Sequence, residues 1–307
     1  MDKDKIINTI HYLILKHYTF EMILDKLYLN EQELLDYLNI INLNSNQKTP
    51  VVNIGGKPKI VYSKREFTIH NLENMKSKLK LMLISDKHID HTDDRIDLIN
   101  SAYNEADKRG VDYVFDLGDI LNGPLSEVHN QSKVRTGTLE GSIEQLKKYH
   151  PDVIPTYFIT GNHDLKFMLH DSCNIGQLIE SECKNMIFLN NLFTCINIGN
   201  LHINLSHGSI ENKHLSTIKL NKEYKFLTYN DPHIICQGHF HISGISSNQG
   251  VLLYQIPSLK YDKNLGAVFL TIKELSDEFE VIYEKMEFKN NKQQIKSEFL
   301  LKKTINY

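Results

Sequence analysis

The chain has 307 residues, a formal net charge of -3 and 41% apolar residues. These values allow one large globular domain or two smaller ones, and the charge excludes a protein that binds nucleic acid simply by being basic overall. The apolar run near the start is interrupted by Asn8, His11 and Lys16. We therefore expect neither a signal peptide nor a membrane span.

The cysteines form no C-x-x-C pair, and their spacing matches no disulfide framework. Free thiols in a reducing compartment are the simpler interpretation, so we expect a cytoplasmic protein. The four residues are Cys173, Cys183, Cys195 and Cys236.

The sequence of residues 1–70 predicts three short helices followed by a hairpin. Thr19 and Asn30 are suited to cap the second and third helices, and Glu33 completes a capping box with Asn30. A Gly-Gly-Lys-Pro segment at residues 55–58 separates two short apolar runs, which is typical of a hairpin. The order of these elements predicts a winged helix-turn-helix domain.

Residues 71–78 are polar and are predicted to link this domain to a second one over residues 79–288. There strands alternate with helices at first, and strands dominate after residue 193, so we predict an α/β fold with two packed sheets. Residues 289–307 are polar and lysine-rich, and we predict a C-terminal tail there, either helical or loose.

Polar side chains follow five of the predicted strands, and in four of the five cases they lie beside a glycine. Ligand sites of open α/β sheets form at the carboxyl ends of strands, and glycine allows a sharp turn and a close approach. The sequences at these ends are Asp86-Lys87-His88, Gly118-Asp119, Gly161-Asn162-His163-Asp164, His207-Gly208 and Gly238-His239-Phe240-His241.

Oxygen and imidazole donors without a thiolate suit manganese, iron, zinc or cobalt. Seven such donors exceed the needs of one tetrahedral ion and suit two ions that share a carboxylate, about 3.5–4 Å apart.

The ordered series D-x-H, G-D, G-N-H-D, H-G and G-H-x-H resembles the motifs of the calcineurin-like metallophosphoesterases over about residues 79–287. The resemblance implies a four-layer αββα sandwich, in which two mixed sheets are flanked by helices. It also implies two divalent or trivalent ions, with manganese as the first choice and iron, zinc, cobalt or nickel as alternatives.

The resemblance also implies a role for each motif residue. Asp86, His88 and His241 would bind one ion. Asn162, His207 and His239 would bind the other, and Asp119 would bridge both. His163 would protonate the leaving oxygen or stabilise its charge, and Asp164 would orient His163. A metal-bound hydroxide would then hydrolyse the phosphate ester.

Other polar residues near the motifs have two interpretations each. Asn122 and His129 are candidates for substrate contact and Arg135 for gripping a phosphate, and an ordinary surface loop is the alternative. Asp116 either supports the site from behind or is a polar residue inside a strand. We assign Asp90 to a solvated loop. Asp93 or Asp94 is assigned as a helix N-cap.

Three functions remain open. The first is a phosphodiesterase or nuclease that acts on DNA or RNA, which the helix-turn-helix pattern favours. The second is a phosphatase or phosphodiesterase for small nucleotides or phosphoproteins. The third is a regulator that binds DNA or protein and senses a ligand through its metal domain. The acidic residues Glu31, Glu33 and Asp36 on the third helix disfavour DNA reading by that helix, so protein contact or homodimerisation through residues 1–70 is an alternative.

Overall fold

The computed structural model describes most of the chain. The described residues are 3–15, 20–44, 51–54, 57–60, 69–72, 78–124, 133–171, 173–208, 233–248, 251–260, 264–274, 279–289, 292–296 and 300–301.

Three helices open the chain: α1 (Lys3–Leu15), α2 (Phe20–Leu27) and α3 (Glu31–Asn44). The predicted capping box is present, because Asn30 Oδ1 accepts from the Glu33 amide at 2.9 Å and the Glu33 carboxylate accepts from the Asn30 amide at 2.8 Å. Thr19, the other predicted cap, lies outside the described residues. The helices enclose a small apolar core of their own, formed by Ile10, Leu13, Phe20, Ile23, Leu34 and Leu38.

The predicted hairpin strands are β1 (Val51–Ile54) and β2 (Lys57–Ile60), which pair antiparallel. The next strand, β3 (Ile69–Leu72), begins in the stretch we assigned to the first domain and continues into the predicted linker. It pairs in parallel with a strand of the second domain. The chain therefore joins the larger fold before residue 79.

An eight-stranded mixed sheet forms the first half of the larger fold. Its order is β15-β14-β13-β4-β5-β6-β7, and β16 also pairs with β14. The neighbours β4 to β7 run parallel, whereas β13 to β16 pair antiparallel. The bounds are β4 Leu79–Ile84, β5 Tyr113–Asp116, β6 Thr156–Thr160, β7 Met186–Asn191, β13 Gly266–Glu274, β14 Phe279–Lys289, β15 Lys292–Lys296 and β16 Leu300–Leu301.

A six-stranded mixed sheet forms the second half, in the order β11-β12-β10-β9-β8-β3. Strands β9, β10 and β12 run parallel to one another. Their carboxyl ends therefore share one edge, as those of β4, β5 and β6 do in the first sheet. The bounds are β8 Phe193–Ile198, β9 Leu201–Ser206, β10 Ile234–Gln237, β11 Gly244–Asn248 and β12 Val251–Gln255.

Strand β4 shows how the two sheets pack. Leu81 and Leu83 lie in the apolar layer between the sheets, whereas Met82 and Ile84 belong to the layer beneath the helices. This alternation follows from the two-residue period of a strand, and both faces are apolar because both are covered.

Helices α4 (Ile96–Arg109), α5 (Leu139–Tyr149) and α7 (Ile175–Glu182) pack over the eight-stranded sheet. Helix α4 ends at Gly110, which adopts a left-handed conformation with φ 62°. The short helix α6 (Lys166–Asp171) follows the G-N-H-D motif and contacts α1. None of the described helices combines the length and the apolar character that a membrane crossing requires.

Two mixed sheets with associated helices confirm the predicted α/β fold class. One detail at the C-terminus differs from the prediction. Residues 292–296 and 300–301, which we assigned to a tail, form β15 and β16 on β14. These strands alternate polar and apolar residues only weakly, so the sequence pattern did not reveal them.

Candidate metal centre

The five predicted strand ends meet at one edge of the two sheets. The Asp86 backbone amide bonds to the carbonyl of Gly118, and the His239 amide donates to Asp86 Oδ2 at 2.9 Å. His207 Nδ1 donates to the carbonyl of Leu117 at 2.6 Å, which joins the second sheet to the first. Six of the seven predicted ligands, all except Asn162, fall into groups of neighbouring donor atoms, although these six span more than 150 residues of sequence.

Asp86, His88 and His241 form the first group of donor atoms. The donor atoms of all three lie within 4.8 Å of one another. Asp86 Oδ1 is 3.2 Å from His241 Nε2 and 3.9 Å from His88 Nε2. This group is the set that the resemblance assigned to the first ion.

Asp119, His207 and His239 form the second group, again within 4.8 Å. Asp119 Oδ2 lies 3.1 Å from His207 Nε2 and 3.7 Å from His88 Nε2, so it stands between the two groups. Asn162, which was assigned to the second ion, is buried with its Oδ1 unpaired among the described residues. A third combination joins His88 and Asp119 to His163, so distance alone does not separate His163 from the ligands.

Several buried polar atoms at this edge make no hydrogen bond within the described part of the chain. Leaving such an atom unpaired costs about 1–3 kcal/mol. Four of them on neighbouring loops therefore indicate a partner that the protein alone does not supply. Because all four belong to carboxylate, amide and imidazole groups that can act as ligands, a cation is the partner that fits. The atoms are Asp86 Oδ1, His88 Nε2, Asn162 Oδ1 and His207 Nε2.

The carboxylates of Asp86 and Asp119 each accept hydrogen bonds through one oxygen, and the other oxygen faces the imidazoles. Asp86 Oδ2 accepts from Ser85 Oγ at 2.6 Å and from the His239 amide, whereas Oδ1 faces the imidazoles. Asp119 Oδ1 accepts from the His163 amide at 2.7 Å, whereas Oδ2 faces His207. The protein thus fixes the orientation of each carboxylate and directs one oxygen to the centre of the site.

The backbone at the site is strained. Positive φ angles are uncommon for residues other than glycine, and they cluster at functional sites. Five of the seven predicted ligands adopt them, with φ between 45° and 74°. These residues are Asp86, His88, Asp119, His239 and His241.

Glycine 161 is required by the close approach of two loops. A Cβ at Gly161 would lie 2.2 Å from both the amide nitrogen and Oδ1 of Asp119. Real Cβ atoms essentially never approach other atoms so closely, so this motif glycine makes room for the carboxylate that stands between the two groups.

The charges of the site are strongly coupled. Burial lowers the pKa of His207, but Asp119 and Asp86 outweigh it and raise the pKa to about 9. Burial raises the pKa of Asp119, and His207 and His163 outweigh it and hold the value well below its usual range. Burial, followed by the charge of His163, holds the pKa of His88 well below its usual range, so this imidazole is neutral and able to bind a cation.

The structure corrects the predicted role of Asp164. This carboxylate accepts from the backbone amides of Gly161, Leu121 and Ile120, at 2.7, 2.8 and 3.2 Å, and so ties the G-N-H-D loop to the loop after β5. Burial and the charge of Asp119 outweigh these amides and raise its pKa to about 7. Asp164 stabilises the loops and does not orient the His163 ring.

His163 is oriented by a backbone carbonyl instead. Its Nδ1 lies 2.7 Å from the carbonyl oxygen of Asn122. Because a carbonyl only accepts, Nδ1 carries the proton and donates it, which fixes the tautomer. Asn122 thus contributes through its backbone, and contact of its side chain with substrate stays a prediction.

The other predicted substrate contacts have different outcomes. His129 lies outside the described residues. The Arg135 guanidinium binds both oxygens of Asp94, so this group is already engaged, and phosphate binding by Arg135 stays a prediction. Asp94 is therefore the partner of Arg135, and the residue before α4 is Arg95, so neither Asp93 nor Asp94 is its N-cap.

Asp90 is buried, contrary to the solvated loop we predicted. Its carboxylate accepts from the Thr136 amide and hydroxyl, the Gly137 amide and the Ser142 hydroxyl, at 2.7–3.0 Å. Asp90 therefore anchors the segment that begins near residue 133.

Asp116 supports the site from behind. Its Oδ2 lies 2.7 Å from Lys87 Nζ, and both side chains are completely buried. Lys87 stands between two predicted ligands and points away from them into this pair. The ion pair is therefore placed to hold the strained Asp86–His88 turn.

Four residues near the site were missed by the sequence reasoning: Ser85, Lys166, Ser258 and Lys260. Ser258 Oγ donates to the Asp86 carbonyl at 3.0 Å, and Lys166 Nζ lies 3.4 Å from His163 Nδ1. Ser258 and Lys260 follow β12, whose end shares the edge of β9 and β10. The rule that found the motifs would have found these two residues if it had been applied to β12.

Comparisons with known proteins identify the family of the chain. The model of the calcineurin-like phosphoesterase superfamily domain matches residues 79–273. A search of curated proteins found no match. Among solved structures, an archaeal phosphodiesterase is similar at 16% identity over 67% of this chain and 99% of its own, with a TM-score of 0.42.

Two further solved structures are similar at comparable levels. Vacuolar protein sorting 29 from Cryptosporidium parvum has 16% identity over 72% of this chain and 97% of its own, with a TM-score of 0.46. A predicted phosphoesterase from Streptococcus pneumoniae has 14% identity over 73% of this chain and 100% of its own, with a TM-score of 0.38. The family match covers more than half of the chain. The chain belongs to the calcineurin-like phosphoesterase superfamily and is a metal-binding hydrolase of phosphate esters.

Proposed function

We propose that this hydrolase is a two-metal phosphodiesterase that acts on nucleic acid. The main support for two metal ions is the position of Asp119 Oδ2 between two donor groups. This oxygen lies 3.1 Å from His207 Nε2 and 3.7 Å from His88 Nε2. A carboxylate in this position has the charge and the oxygen atoms to serve two cations.

The residues divide as the resemblance implies. Asp86, His88 and His241 would hold one ion, and Asp119 would be shared. Asn162, His207 and His239 would hold the other. Oxygen and nitrogen donors of this kind favour manganese, with iron, zinc, cobalt and nickel as alternatives. When bound, such a pair of ions supplies a water of lowered pKa and neutralises charge on the phosphate oxygens.

His163 would deliver the proton. Its ring lies edge-on to that of His88, with centroids 4.7 Å apart, so it borders the first donor group. Because Nδ1 donates to the Asn122 carbonyl, Nε2 is the nitrogen that gains and loses a proton. A protonated Nε2 would donate to the leaving oxygen of the ester as its bond to phosphorus breaks. The Asn122 carbonyl keeps the ring in this orientation.

The nucleic-acid substrate is supported by the N-terminal elements. Three helices and a hairpin occur in the order of a winged helix-turn-helix, and α1 contacts α6, which follows His163 in the chain. The wing strand β2 contains Lys57 and Lys59 in its sequence. We propose that this unit guides a polynucleotide towards the catalytic edge.

A second candidate is hydrolysis of small phosphate esters. The acidic first turn of α3, with Glu31 and Glu33, favours it because these charges repel a nucleic-acid backbone.

A substrate panel distinguishes the two candidates. The purified protein would be loaded with manganese, iron, zinc, cobalt or nickel and given bis-nitrophenyl phosphate, mono-nitrophenyl phosphate, and single- and double-stranded DNA and RNA. Cleavage of the diester and of a polynucleotide is expected. Cleavage of the monoester alone would show that the protein is a phosphatase and not a phosphodiesterase. No turnover of any substrate with any metal would contradict the proposed activity altogether.

Deletion of residues 1–60, which leaves β3 and its pairing with β8 in place, sharpens the assay. The truncated protein is expected to cleave bis-nitrophenyl phosphate while losing activity on the polynucleotide. Equal activity of both forms on the polynucleotide would show that the N-terminal unit does not guide it.

A further inference from the structure

Two half-buried lysines near the catalytic edge, Lys166 and Lys260, have no role in the proposed chemistry. Lys166 is the first residue of α6, and its Nζ lies 3.4 Å from His163 Nδ1. That nitrogen already donates to the Asn122 carbonyl at 2.7 Å and so offers no lone pair to an ammonium group. Lys166 therefore approaches the catalytic ring without gaining an acceptor from it.

Lys260 is fixed close to the first donor group. Its amide donates to Ser258 Oγ at 2.9 Å, and Ser258 Oγ lies 3.0 Å from the carbonyl oxygen of Asp86. It also forms an antiparallel bridge with Asp94, shortly after the D-x-H motif. Two contacts thus hold residue 260 against the loop that carries Asp86 and His88.

The charges of both lysines reach the catalytic groups. The Lys260 ammonium lowers the pKa values of His88, His91 and His163, in each case after burial. Burial lowers the pKa of both lysines, the charge of Asp119 acts against it, and the charge of Lys260 lowers the pKa of Lys166 further. The geometry agrees, because Lys166 adjoins His163, residue 260 is held against the loop that carries His88, and the rings of His88 and His163 are 4.7 Å apart.

Neither ammonium group has a carboxylate within ion-pair distance among the residues that the structure describes. Other lysines of the chain are paired: Lys87 with Asp116, and Lys273 with Glu280 at 3.1 Å. Removing two cations partly from water without a counter-ion costs free energy, and a bound anion would offset that cost. Charge-assisted hydrogen bonds to phosphate are stronger than hydrogen bonds between neutral groups.

We propose that Lys166 and Lys260 form a subsite for a second phosphate, carried by the leaving portion of the substrate next to the scissile ester. This assignment rests on the proposed function, because His163 defines the leaving-group side. A polynucleotide and a small nucleotide with an additional phosphate both supply this chemistry. The subsite would make the enzyme prefer either of them to a diester that lacks the second phosphate.

Kinetics on matched substrates test the preference. The manganese-loaded protein would be given the dinucleotide TpT, the same dinucleotide with phosphates at both ends, and a thymidine 12-mer. We expect the end phosphates to raise kcat/KM about tenfold, mainly through KM, since one charge-assisted contact of about 1.5 kcal/mol corresponds to such a factor. Lys166→Met and Lys260→Met should each reduce this advantage, whereas Lys→Arg at either position should keep most of it.

The matched control is Lys273→Met, because Lys273 is also half-buried but is paired with Glu280. It should leave the advantage of the end phosphates unchanged. Faster cleavage of the 12-mer than of the dinucleotide with end phosphates would identify a polymer as the source of the second phosphate. Equal rates of cleavage would identify a small nucleotide as the source. An equal loss on TpT and on its phosphorylated form would overturn the subsite.

A binding measurement separates this proposal from the proposed activity. Inorganic phosphate would be titrated into the metal-free protein by calorimetry. We expect Lys166→Met and Lys260→Met to weaken its affinity about tenfold each relative to the wild type and to Lys273→Met. If no ester is hydrolysed but this loss is found, the proposed activity fails and the anion subsite stands. Equal affinity in all variants contradicts the subsite, whatever the activity.

Discussion

Two buried carboxylates of the same loop, Asp86 and Asp90, have opposite surroundings. Both have positive φ angles and both are completely buried. Asp90 accepts four hydrogen bonds from the segment at residues 136–142, and both of its oxygens are used. Asp86 accepts hydrogen bonds only through Oδ2, whereas its Oδ1 accepts none from the described residues and faces His241 Nε2 at 3.2 Å.

The contrast shows how the protein separates stability from function. A carboxylate with every acceptor site served by protein donors holds the chain together. A carboxylate with one oxygen left open costs stability in the metal-free protein and gains it back when a cation binds. Asp119 belongs with Asp86, because its Oδ1 is held by the His163 amide and its Oδ2 faces the imidazoles.

The largest expected effect is that of Asp119→Asn. This change keeps the shape and an oxygen for the His163 amide but removes the charge between the two donor groups. We expect metal occupancy to collapse and turnover to fall by a factor of about 10³ or more, since both ions of the proposed centre would depend on this residue. Elemental analysis of the purified variant measures the first effect, with circular dichroism as the control for folding. Full metal content would contradict the shared carboxylate.

His163→Ala should separate chemistry from metal binding. We expect turnover to fall about 10²- to 10⁴-fold, the range of a general acid, with metal content unchanged. Steady-state kinetics and elemental analysis on the same sample provide both values. A parallel loss of metal would place His163 among the ligands, together with His88 and Asp119.

Asp90→Ala is expected to reduce the stability of the fold without impairing metal binding. Four donors would lose their acceptor, and we expect the free energy of unfolding to fall by about 2–4 kcal/mol, while the folded fraction still binds its metals. Urea denaturation measures the change, and Asp93→Ala, which removes an exposed carboxylate nearby, is the matched control. A variant as stable as the control would show that Asp90 does not anchor residues 136–142.

Protons should compete with metal at His207. Its pKa of about 9 in the metal-free protein means that the imidazole must lose a proton before it binds a cation. Manganese affinity should therefore rise about tenfold per pH unit below pH 9 and level off above it. Since the pKa is raised above its usual 6.5, the contribution of His207 to stability is complete below pH 6.5 and is lost as the pH rises through 9.

Calorimetric titrations with manganese between pH 6.5 and 9.5 measure this dependence, and thermal denaturation of the metal-free protein over the same range measures the stability. An affinity that is constant from pH 7 to 9 would mean that His207 is already neutral, and hence that Asp119 and Asp86 do not hold its proton.

The smallest expected effect is that of Gly161→Ala, which tests the close approach of Gly161 to Asp119. In Gly161→Ala the added Cβ would overlap the Asp119 amide, so the loop must shift and misplace an intact carboxylate. We expect metal affinity to fall about tenfold with little loss of folding. Gly244→Ala is the control, because its Cβ would meet only the end of the Gln255 side chain at 3.2 Å. Equal affinity in both variants would show that this close approach is not needed.

The ligands could be predicted from sequence for a simple reason. Each one follows a strand, and the carboxyl ends of parallel strands meet at one edge, so order along the chain was enough to bring them together. The capping box at Asn30 and Glu33 was equally local, and the structure confirms it.

What could not be predicted depends on partners that are distant in sequence. Asp90 lies in a run of polar residues that resembles a solvated loop, and its donors come from more than 40 residues away. Asp164 has the sequence position of a residue that orients His163, but sequence does not reveal that backbone amides of the β5 loop reach it first. The edge strand β15 is made of lysine, glutamine and one isoleucine, a composition that also suits a tail.

The most direct test of the two-metal site is anomalous diffraction from a crystal of the manganese-loaded protein. The proposed centre predicts two peaks about 3.5–4 Å apart on either side of Asp119, one beside Asp86, His88 and His241 and the other beside His207 and His239. Asn162 would complete the ligands of the second ion. A single peak, or two peaks that do not share Asp119, would contradict the proposed dinuclear centre.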